Sequence, residues 1–411
     1  MTDQFDWDQF AQATLVDWLV QHGEYYLAGF IEVPAAPLLI RIGNGIRRHL
    51  ERCALPAWYG EMLYPAGEYS IWDQGSALWF YYPFPLNFYP ERWKVKIGLC
   101  KDDQLHSQLV RLGEMLRTFS DLESVLPPEF RLGGCGYTHS IPDYDLVIQK
   151  GMAWIAANVD KGLEDVSQNE ESSTPRSFFM ALQEVQSGIK TYHERLVSQL
   201  VGAEPGEAQT RLQDALAQVP WQPARTFYEG LVAVNLVYYL DGCDSLGRFD
   251  QVLGSLYESD LEAGHITLEE GEALVRRFWQ NINENNGWNC ALGGSLEGGA
   301  PAYNRLTVTS LKAARGMRRP NLALRVRQDM PDEVWNATLD TLASGCGLPA
   351  LYNEKAYLEA IKKTKLVKGD DIYHFAFGGC TELMIHGRSC VGSLDGGINL
   401  LKVLTDSLTH V

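Results

Sequence analysis

Several features that would settle the class of this 411-residue protein at once are missing from its sequence. No run of 18 apolar residues occurs, and the first residues lack a basic segment followed by an apolar one, so neither a membrane span nor a secretory signal is indicated. Basic residues are in the minority, with 35 Lys and Arg against 52 Asp and Glu, which gives a formal charge of −17. We therefore expect a cytoplasmic protein that binds neither nucleic acid nor a membrane.

Motifs built on paired cysteines or on a phosphate-binding loop are missing as well. The eight cysteines are scattered without a CxxC pair, which is typical of reduced thiols. The glycine-rich stretch at 133–136 has neither a GxGxxG pattern nor a Walker lysine, so it gives little support to nucleotide binding. What the sequence does contain is 45% hydrophobic residues, enough for a sizeable core.

The pattern of helices and strands predicts an α/β protein. From about residue 225 onward the two alternate, which indicates βα units and a mostly parallel sheet. Thr267 and Glu270 form a capping box in front of a clear helical face, and residues 321–327 alternate as a strand does. Residues 283–300 contain five glycines and are predicted to be a loop.

A further helix is predicted to begin at Pro331, because proline is well suited to a first helical turn. Trp335, Leu339 and Leu342 are expected to face the core, and Gly345 is expected to stop the helix.

Two regions are expected. Residues 1–130 form a helical, aromatic-rich region, and residues 131–411 form the α/β part. The segment 58–93 is dense in Trp, Tyr, Phe and Pro, and we interpret it as an irregular packing layer, with a substrate cleft as the alternative.

The most informative stretch runs from residue 371 to residue 400. Residues 371–377 are predicted to be a strand, after which Gly378 and Gly379 free the backbone to turn and place Cys380 at a loop tip. Glu382 follows two residues later. A thiol and a carboxyl at this spacing in a glycine-rich loop can face one cavity, which is the pattern of an active site.

Five stretches, found in the right order, resemble glycyl-radical enzymes of the pyruvate formate-lyase-like superfamily. They are residues 139–151, 245–251, 320–335, 344–354 and 378–400, with the sequences HSIPDYDLVIQKG, SLGRFDQ, PNLALRVRQDMPDEVW, SGCGLPALYNE, and GGCTE with SLDGGINL. The resemblance implies the first half of a ten-stranded β/α barrel with a cysteine loop inside.

The same resemblance implies a radical mechanism with no tightly bound cofactor and no metal. A glycyl radical, installed by a separate activating enzyme that uses S-adenosylmethionine and an iron–sulfur cluster, would take a hydrogen atom from Cys380. The resulting thiyl radical would take one from a small-molecule substrate.

The residue after the cysteine separates subclasses of this family. Formate-lyases that transfer acyl groups have two adjacent cysteines, whereas Thr381 follows Cys380 here. Cys380 with Glu382 resembles the dehydratases and carbon–heteroatom lyases, in which the carboxylate accepts the proton of a substrate hydroxyl. A buried glutamate beside a neutral thiol is expected to have a raised pKa.

Four further residues are candidate substrate contacts. His139 matches a substrate-binding histidine of polyol dehydratases, although a lone histidine is more often structural. Asp395 falls near their aspartate beyond the cysteine loop. The His-Ser pair that those enzymes carry just before the SLGRFDQ-like segment is absent, and this chain has Gly242, Cys243 and Asp244 there. This makes a polyol substrate doubtful, and Asp241 or Asp244 is expected to contact a different group.

The glycine loop of the family, an RVxGF-like stretch, does not occur in the 411 residues. We therefore expect either a second polypeptide that carries it or a continuation of this chain, and homodimerisation stays open. An exposed apolar face on the last helix is expected to need such a partner.

Three other interpretations remain. In the first, Cys380 is a nucleophile assisted by His386. In the second, Cys380 binds a metal ion together with His386 and Cys390. In the third, the chain is a non-catalytic half-barrel subunit.

Overall fold

The N-terminal part of the protein is mainly helical. The structure, a computed structural model, describes residues 13–80, 86–120, 130–132, 137–167, 173–203, 205–393 and 396–409. The first elements are α1 (Ala13–Gln21), α2 (Tyr25–Glu32), α3 (Leu38–Arg52), the antiparallel strands β1 (Leu78–Phe80) and β2 (Leu86–Phe88), α4 (Pro90–Ile97) and α5 (Asp103–Ser120). In the described part of the chain, no helix combines the length and the apolar character that crossing a membrane requires.

The aromatic-rich segment after α3 is in part a packing layer, in keeping with the preferred interpretation of the sequence. Tyr64, Ile71 and Trp72 are buried. The indole N–H of Trp72 donates to the carbonyl of Leu240 at 2.9 Å, so the layer is tied to the centre of the protein.

A long, buried helix occupies that centre. It is preceded by β3 (Phe130–Leu132), β4 (Tyr137–His139), α6 (Tyr144–Ser167), α7 (Ser173–Val201) and α8 (Glu207–Gln218). The central helix, α9 (Phe227–Leu240), is buried at every position except its last. Gly151 interrupts α6 with a φ of 77°, and a side chain there would collide with the backbone oxygen of Trp221. The kink thus lets α6 pack closely against the segment that leads to α9.

Four parallel strands form the main sheet, in the order β5, β6, β7, β8. The alternating elements are β5 (Gly247–Arg248), α10 (Phe249–Glu262), α11 (Leu268–Glu284), β6 (Asn289–Gly293), α12 (Arg305–Ala313), β7 (Asn321–Val326), α13 (Asp332–Ala343), β8 (Ala350–Asn353) and α14 (Glu354–Thr364). The predicted α/β alternation, the capping box at Thr267 and the strand at β7 are confirmed.

Two predictions for this region are wrong. Residues 283–300 are not simply a loop, because they contain β6, a fully buried strand without polar alternation. Helix α13 begins at Asp332, one residue after the predicted start, with Pro331 as its N-cap, and it ends before Gly345 as predicted. However, Trp335, Leu339 and Leu342 are 39%, 46% and 37% exposed. The helix instead buries its smaller face, formed by Val334, Ala337, Thr338 and Thr341.

The last part of the chain forms a hairpin that lies on the main sheet. Residues 371–377 are not one strand, since a 3-10 helix covers Gly369–Tyr373 before β9 (Phe375–Gly378) begins. The remaining elements are β10 (Glu382–Ile385), antiparallel to β9; β11 (Val391–Ser393), paired with β4; β12 (Gly396–Ile398), paired with β3; and α15 (Leu400–Thr409). Phe375, Phe377 and Met384 of this cysteine hairpin (β9 and β10) share a core with Ala291 and Ala323 of the sheet.

A buried arginine ties the base of the cysteine hairpin to the sheet. Arg325 of β7 is fully buried and forms two hydrogen bonds with the carboxylate of Glu354, at 2.8 and 2.7 Å. It also donates to the carbonyls of Phe375 and Tyr373 at 2.8 and 3.1 Å. Its guanidinium carbon lies 3.7 Å from the centroid of the Phe375 ring. The hairpin base is therefore fixed by charge, hydrogen bonds and ring stacking together.

We predict that Arg325→Met lowers the free energy of unfolding by about 3 to 5 kcal/mol, because it leaves the buried Glu354 carboxylate without its partner. The double variant Arg325→Met/Glu354→Leu should regain much of this loss, since no unpaired charge remains. Chemical denaturation measures both. Arg315→Met is the control, because its ion pair with Asp340 is exposed and is expected to contribute about 1 kcal/mol or less. Equal losses for Arg325→Met and Arg315→Met would contradict the prediction.

Candidate active site around Cys380

Cys380 lies at the tip of the cysteine hairpin, as the sequence predicts. In the register of β9 and β10, Gly378 is opposite Glu382, so that Gly379, Cys380 and Thr381 form the turn. The Cys380 side chain is exposed. Because the thiol projects beyond both strands, a reactant can reach it.

Gly379, the residue before the cysteine, is held by both of its backbone polar groups. Its N–H donates to the hydroxyl of Ser245 at 3.2 Å, and its carbonyl accepts from the side-chain amide of Asn289. Both partners are buried. Its φ is +50°, and a Cβ would overlap the His139 ring, so only glycine fits this position.

His139 stands beside this turn at the end of β4. Val391 of β11 pairs with it, and its ring is 1% exposed. Its Nδ1 lies 3.0 and 3.2 Å from the two carboxylate oxygens of Asp244. The backbone N–H of Ser140 donates to the same carboxylate at 2.7 Å, and the hydroxyl of Ser245 lies 3.2 Å from it. Asp244 is thus fully buried among three donors.

Asp241 belongs to the same network through Ser140. It caps the C-terminal end of α9, after which Gly242 and Cys243 both adopt left-handed backbone conformations with φ of 81° and 67°. This unusual turn brings Asp241 and Asp244 to the same serine, whose hydroxyl lies 2.8 and 2.9 Å from the two Asp241 oxygens.

The two carboxyl groups are in different electrostatic situations. Burial and the neighbouring Asp244 charge raise the pKa of Asp241 well above its usual range, against one opposing hydrogen bond from Ser140. Burial also raises the pKa of Asp244, but hydrogen bonds from His139, Ser140 and Ser245 favour its ionised form. The three donors around Asp244 thus favour its ionised form, whereas the single donor on Asp241 and its more strongly raised pKa favour its protonated form.

Glu382 lies on the opposite side of the turn from Gly379. Its side chain is half-buried, and its Oε2 accepts the backbone N–H of Thr381 at 3.0 Å. This bond holds the carboxylate beside the cysteine that it follows by two residues.

Of the residues singled out from the sequence, Cys380, Glu382, His139 and Asp244 lie in or support one turn, and Asp241 is linked to them through Ser140. Asp395 lies outside the described residues. The sequence interpretation missed Ser140, Ser245 and Asn289. The first two lie inside the stretches that carry the family resemblance, whereas Asn289 lies in the segment taken for a loop.

His386 lies at the other end of β10 from Cys380. A four-residue strand separates them, which corresponds to about 13 Å. Its Nδ1 accepts the backbone N–H of Arg248 at 3.0 Å, and burial lowers its pKa to about 3, with the charges of Arg248 and His374 adding to the effect. This placement speaks against His386 as the base of a cysteine nucleophile. The described residues also contain no group of three or more His, Cys, Asp or Glu side chains arranged to hold a metal ion.

Curated relatives match part of this chain. An isethionate sulfite-lyase from Oleidesulfovibrio alaskensis is 25% identical over 300 residues, which cover 64% of this chain and 36% of the relative. A (2S)-3-sulfopropanediol dehydratase from Klebsiella oxytoca is 22% identical over 286 residues, covering 62% and 34%. The chain thus aligns with about a third of the length of these relatives.

Solved structures share the fold over nearly the whole chain. A glycyl radical enzyme from Archaeoglobus fulgidus superposes with a TM-score of 0.74 at 19% identity, covering 96% of this chain and 58% of that protein. A hydroxyproline dehydratase from Clostridioides difficile gives a TM-score of 0.72 at 14% identity, covering 99% and 58%.

The family described as pyruvate formate lyase-like matches residues 133–410, which include every candidate site residue. This match covers about two thirds of the chain, and the protein belongs to the pyruvate formate lyase-like family of enzymes.

Proposed function

We propose that this chain supplies the thiol and the base of a glycyl-radical lyase or dehydratase that cleaves a C–O, C–N or other carbon–heteroatom bond. The observation that carries the proposal is the exposed Cys380 thiol at a clamped turn, with the Glu382 carboxylate held beside it. The curated relatives, named as a sulfite-lyase and a dehydratase, support this class of reaction.

A glycyl radical located outside these residues would remove a hydrogen atom from the Cys380 thiol. The exposed tip of the cysteine hairpin fits this requirement, because the thiol is accessible. The activating enzyme with its S-adenosylmethionine and iron–sulfur cluster belongs to the same proposal.

Cys380 then exchanges hydrogen atoms with the substrate. Its thiyl sulfur takes a hydrogen atom from a substrate carbon that bears a hydroxyl, which re-forms the S–H bond and leaves one unpaired electron on that carbon. Glu382 accepts the hydroxyl proton, and the leaving group departs from the adjacent carbon with the bonding electron pair. The Cys380 thiol finally returns a hydrogen atom to the product carbon.

Asp241 is the proposed proton donor to the leaving group. Burial and the charge of Asp244 raise its pKa, which favours a protonated carboxyl that can donate its hydrogen to a basic leaving group. His139, whose Nδ1 is held by Asp244, keeps its proposed role as a substrate contact beside the turn. Asp395 keeps its proposed role as a further substrate contact.

Acyl transfer of the formate C-acetyltransferase type is less well supported, because Thr381 stands where a second cysteine would be needed. A non-catalytic half-barrel subunit is the other alternative. The retention of both Cys380 and Glu382 at one turn favours catalysis over that role.

The proposal also includes the remainder of the barrel, with a glycine loop, on a second polypeptide or on a continuation of this chain. Helix α15 has no buried residue, and Leu400, Leu401, Leu404 and Leu408 are each more than half exposed. Strand β8 lies at the edge of the main sheet, with Leu351 47% exposed. An uncovered strand edge and an apolar helix face are surfaces that a partner would complete.

Cys380→Ala should abolish turnover by the assembled and activated enzyme under anoxic conditions, because alanine has no S–H bond to give or to re-form. Circular dichroism should show an unchanged fold, since the side chain is exposed. Cys100→Ala is the matched control and should retain activity. Turnover by Cys380→Ala at the rate of the unmodified enzyme would end the radical proposal.

Glu382→Gln should lower the rate of elimination by about 100-fold or more while leaving the glycyl-radical signal in electron paramagnetic resonance intact. Glutamine keeps the shape and can still accept the N–H of Thr381, but it is a far weaker base. An equal loss of the radical signal and of turnover would show instead that Glu382 acts in activation or assembly.

A tagged form of the chain should co-purify with a polypeptide that carries an RVxGF-like glycine loop, if that loop is on a separate protein. The double variant Leu401→Lys/Leu404→Lys should reduce this co-purification by at least tenfold, because two charges would be buried at the interface. Leu366→Lys, at an exposed leucine outside α15, is the control. An active, monomeric 411-residue chain would contradict the need for any partner.

A further inference from the structure

We propose that Asp244 is a positioning residue that fixes the backbone of the Cys380 turn through Ser245 and His139. The importance of this turn for turnover rests on the proposed function, but the geometric argument does not. Two contacts converge on Gly379 from residues that Asp244 holds, and both can be followed atom by atom.

The first contact passes through Ser245. A serine hydroxyl has a single hydrogen to donate, together with lone pairs that accept. Because the ionised Asp244 can only accept, the Ser245 hydrogen is directed at its Oδ1, 3.2 Å away. A lone pair of Ser245 is then left for the N–H of Gly379, also at 3.2 Å. Asp244 thereby sets the direction of the hydrogen bond that holds the turn.

The second contact passes through the His139 ring. The contact between Nδ1 and the Asp244 carboxylate, at 3.0 Å, fixes the orientation of the ring. The Nε2, Cδ2 and Cε1 edge of this ring fills the space where a side chain of Gly379 would lie. Asp244 therefore controls the orientation of the surface against which the residue before Cys380 packs.

The same carboxylate also anchors the end of β4, because the backbone N–H of Ser140 donates to its Oδ2 at 2.7 Å. Asp244 is 1% exposed, and its oxygens are already engaged by donors from two separate segments of the chain. A carboxylate held in this way supports the residues that would contact a substrate and does not contact the substrate itself. This differs from the substrate contact that the family resemblance suggested for Asp244.

The test is amide hydrogen exchange at Gly379 in the purified 411-residue chain with the variant Asp244→Asn. An asparagine amide places a donor against the donors of His139 and Ser140, so the turn should loosen. We expect the Gly379 N–H to exchange about fivefold faster, the factor associated with one lost hydrogen bond. Mass spectrometry of a peptide that contains residues 378–382 measures the exchange, and a peptide from α11 is the internal reference.

Asp250→Asn is the matched control. Asp250 is equally buried and accepts hydrogen bonds from Gly293 N–H at 2.8 Å and the Thr307 hydroxyl at 2.5 Å, away from the turn. Its variant should leave exchange of the Gly379 N–H unchanged. The proposal is overturned if the Gly379 N–H of Asp244→Asn exchanges at the original rate, or if Asp250→Asn produces the same increase.

If circular dichroism shows that Asp244→Asn does not fold, Ser245→Ala decides the question, because it removes only the hydroxyl between Asp244 and Gly379. A faster exchange of the Gly379 N–H in this variant supports the proposal, and an unchanged rate overturns it. Hydrogen exchange requires no radical, partner or turnover. An inactive enzyme would therefore count against the proposed function without affecting this result.

Discussion

The backbone of Gly379 is the constraint on which the candidate site depends. A three-residue turn has no regular hydrogen bonding of its own, yet both polar groups of this residue are bound by buried side chains. Ser245 immediately precedes the β5 region and Asn289 begins β6, so the turn takes its position from the amino ends of the sheet. At the other end of the cysteine hairpin, Arg325 near the carboxyl end of β7 holds the base. The thiol is thus placed by the rigid sheet.

The charge states of the two carboxyl groups near the turn, Asp241 and Asp244, depend on their burial. Two carboxyl groups that share Ser140 cannot both be charged at low cost in a desolvated setting. Among the described residues, three donors contact the Asp244 carboxylate and the Ser140 hydroxyl contacts that of Asp241. The left-handed turn at Gly242 and Cys243 is what brings both to one serine. Local backbone strain is therefore linked to the electrostatics of the site.

Local sequence patterns were sufficient for much of the fold and for the centre of the site. The capping box at Thr267 and the alternation of residues 321–327 depend on near neighbours, and both predictions are confirmed. The position of Cys380 in a glycine-containing turn could likewise be predicted from the sequence. Strand β6 was missed because a strand buried on both faces does not alternate. For α13, the prediction of the buried face was wrong because it relied on the largest apolar side chains, whereas the helix packs closely through its smaller ones.

Local sequence patterns could not identify the residues that support the turn. Ser245 contacts a residue 134 positions away along the chain, and Asn289 contacts the same residue over 90 positions. Neither residue type is unusual in its local context. Their role exists only once the sheet brings both next to the turn, so a single sequence gives no sign of it.

The close contact between Gly379 and His139 has an evolutionary consequence. Two independent conditions require glycine at position 379, namely its positive φ and the ring that occupies the Cβ position. A change of His139 to a smaller residue removes the second condition and keeps the first, because the positive φ belongs to the turn itself. Position 379 should therefore stay glycine even where position 139 varies.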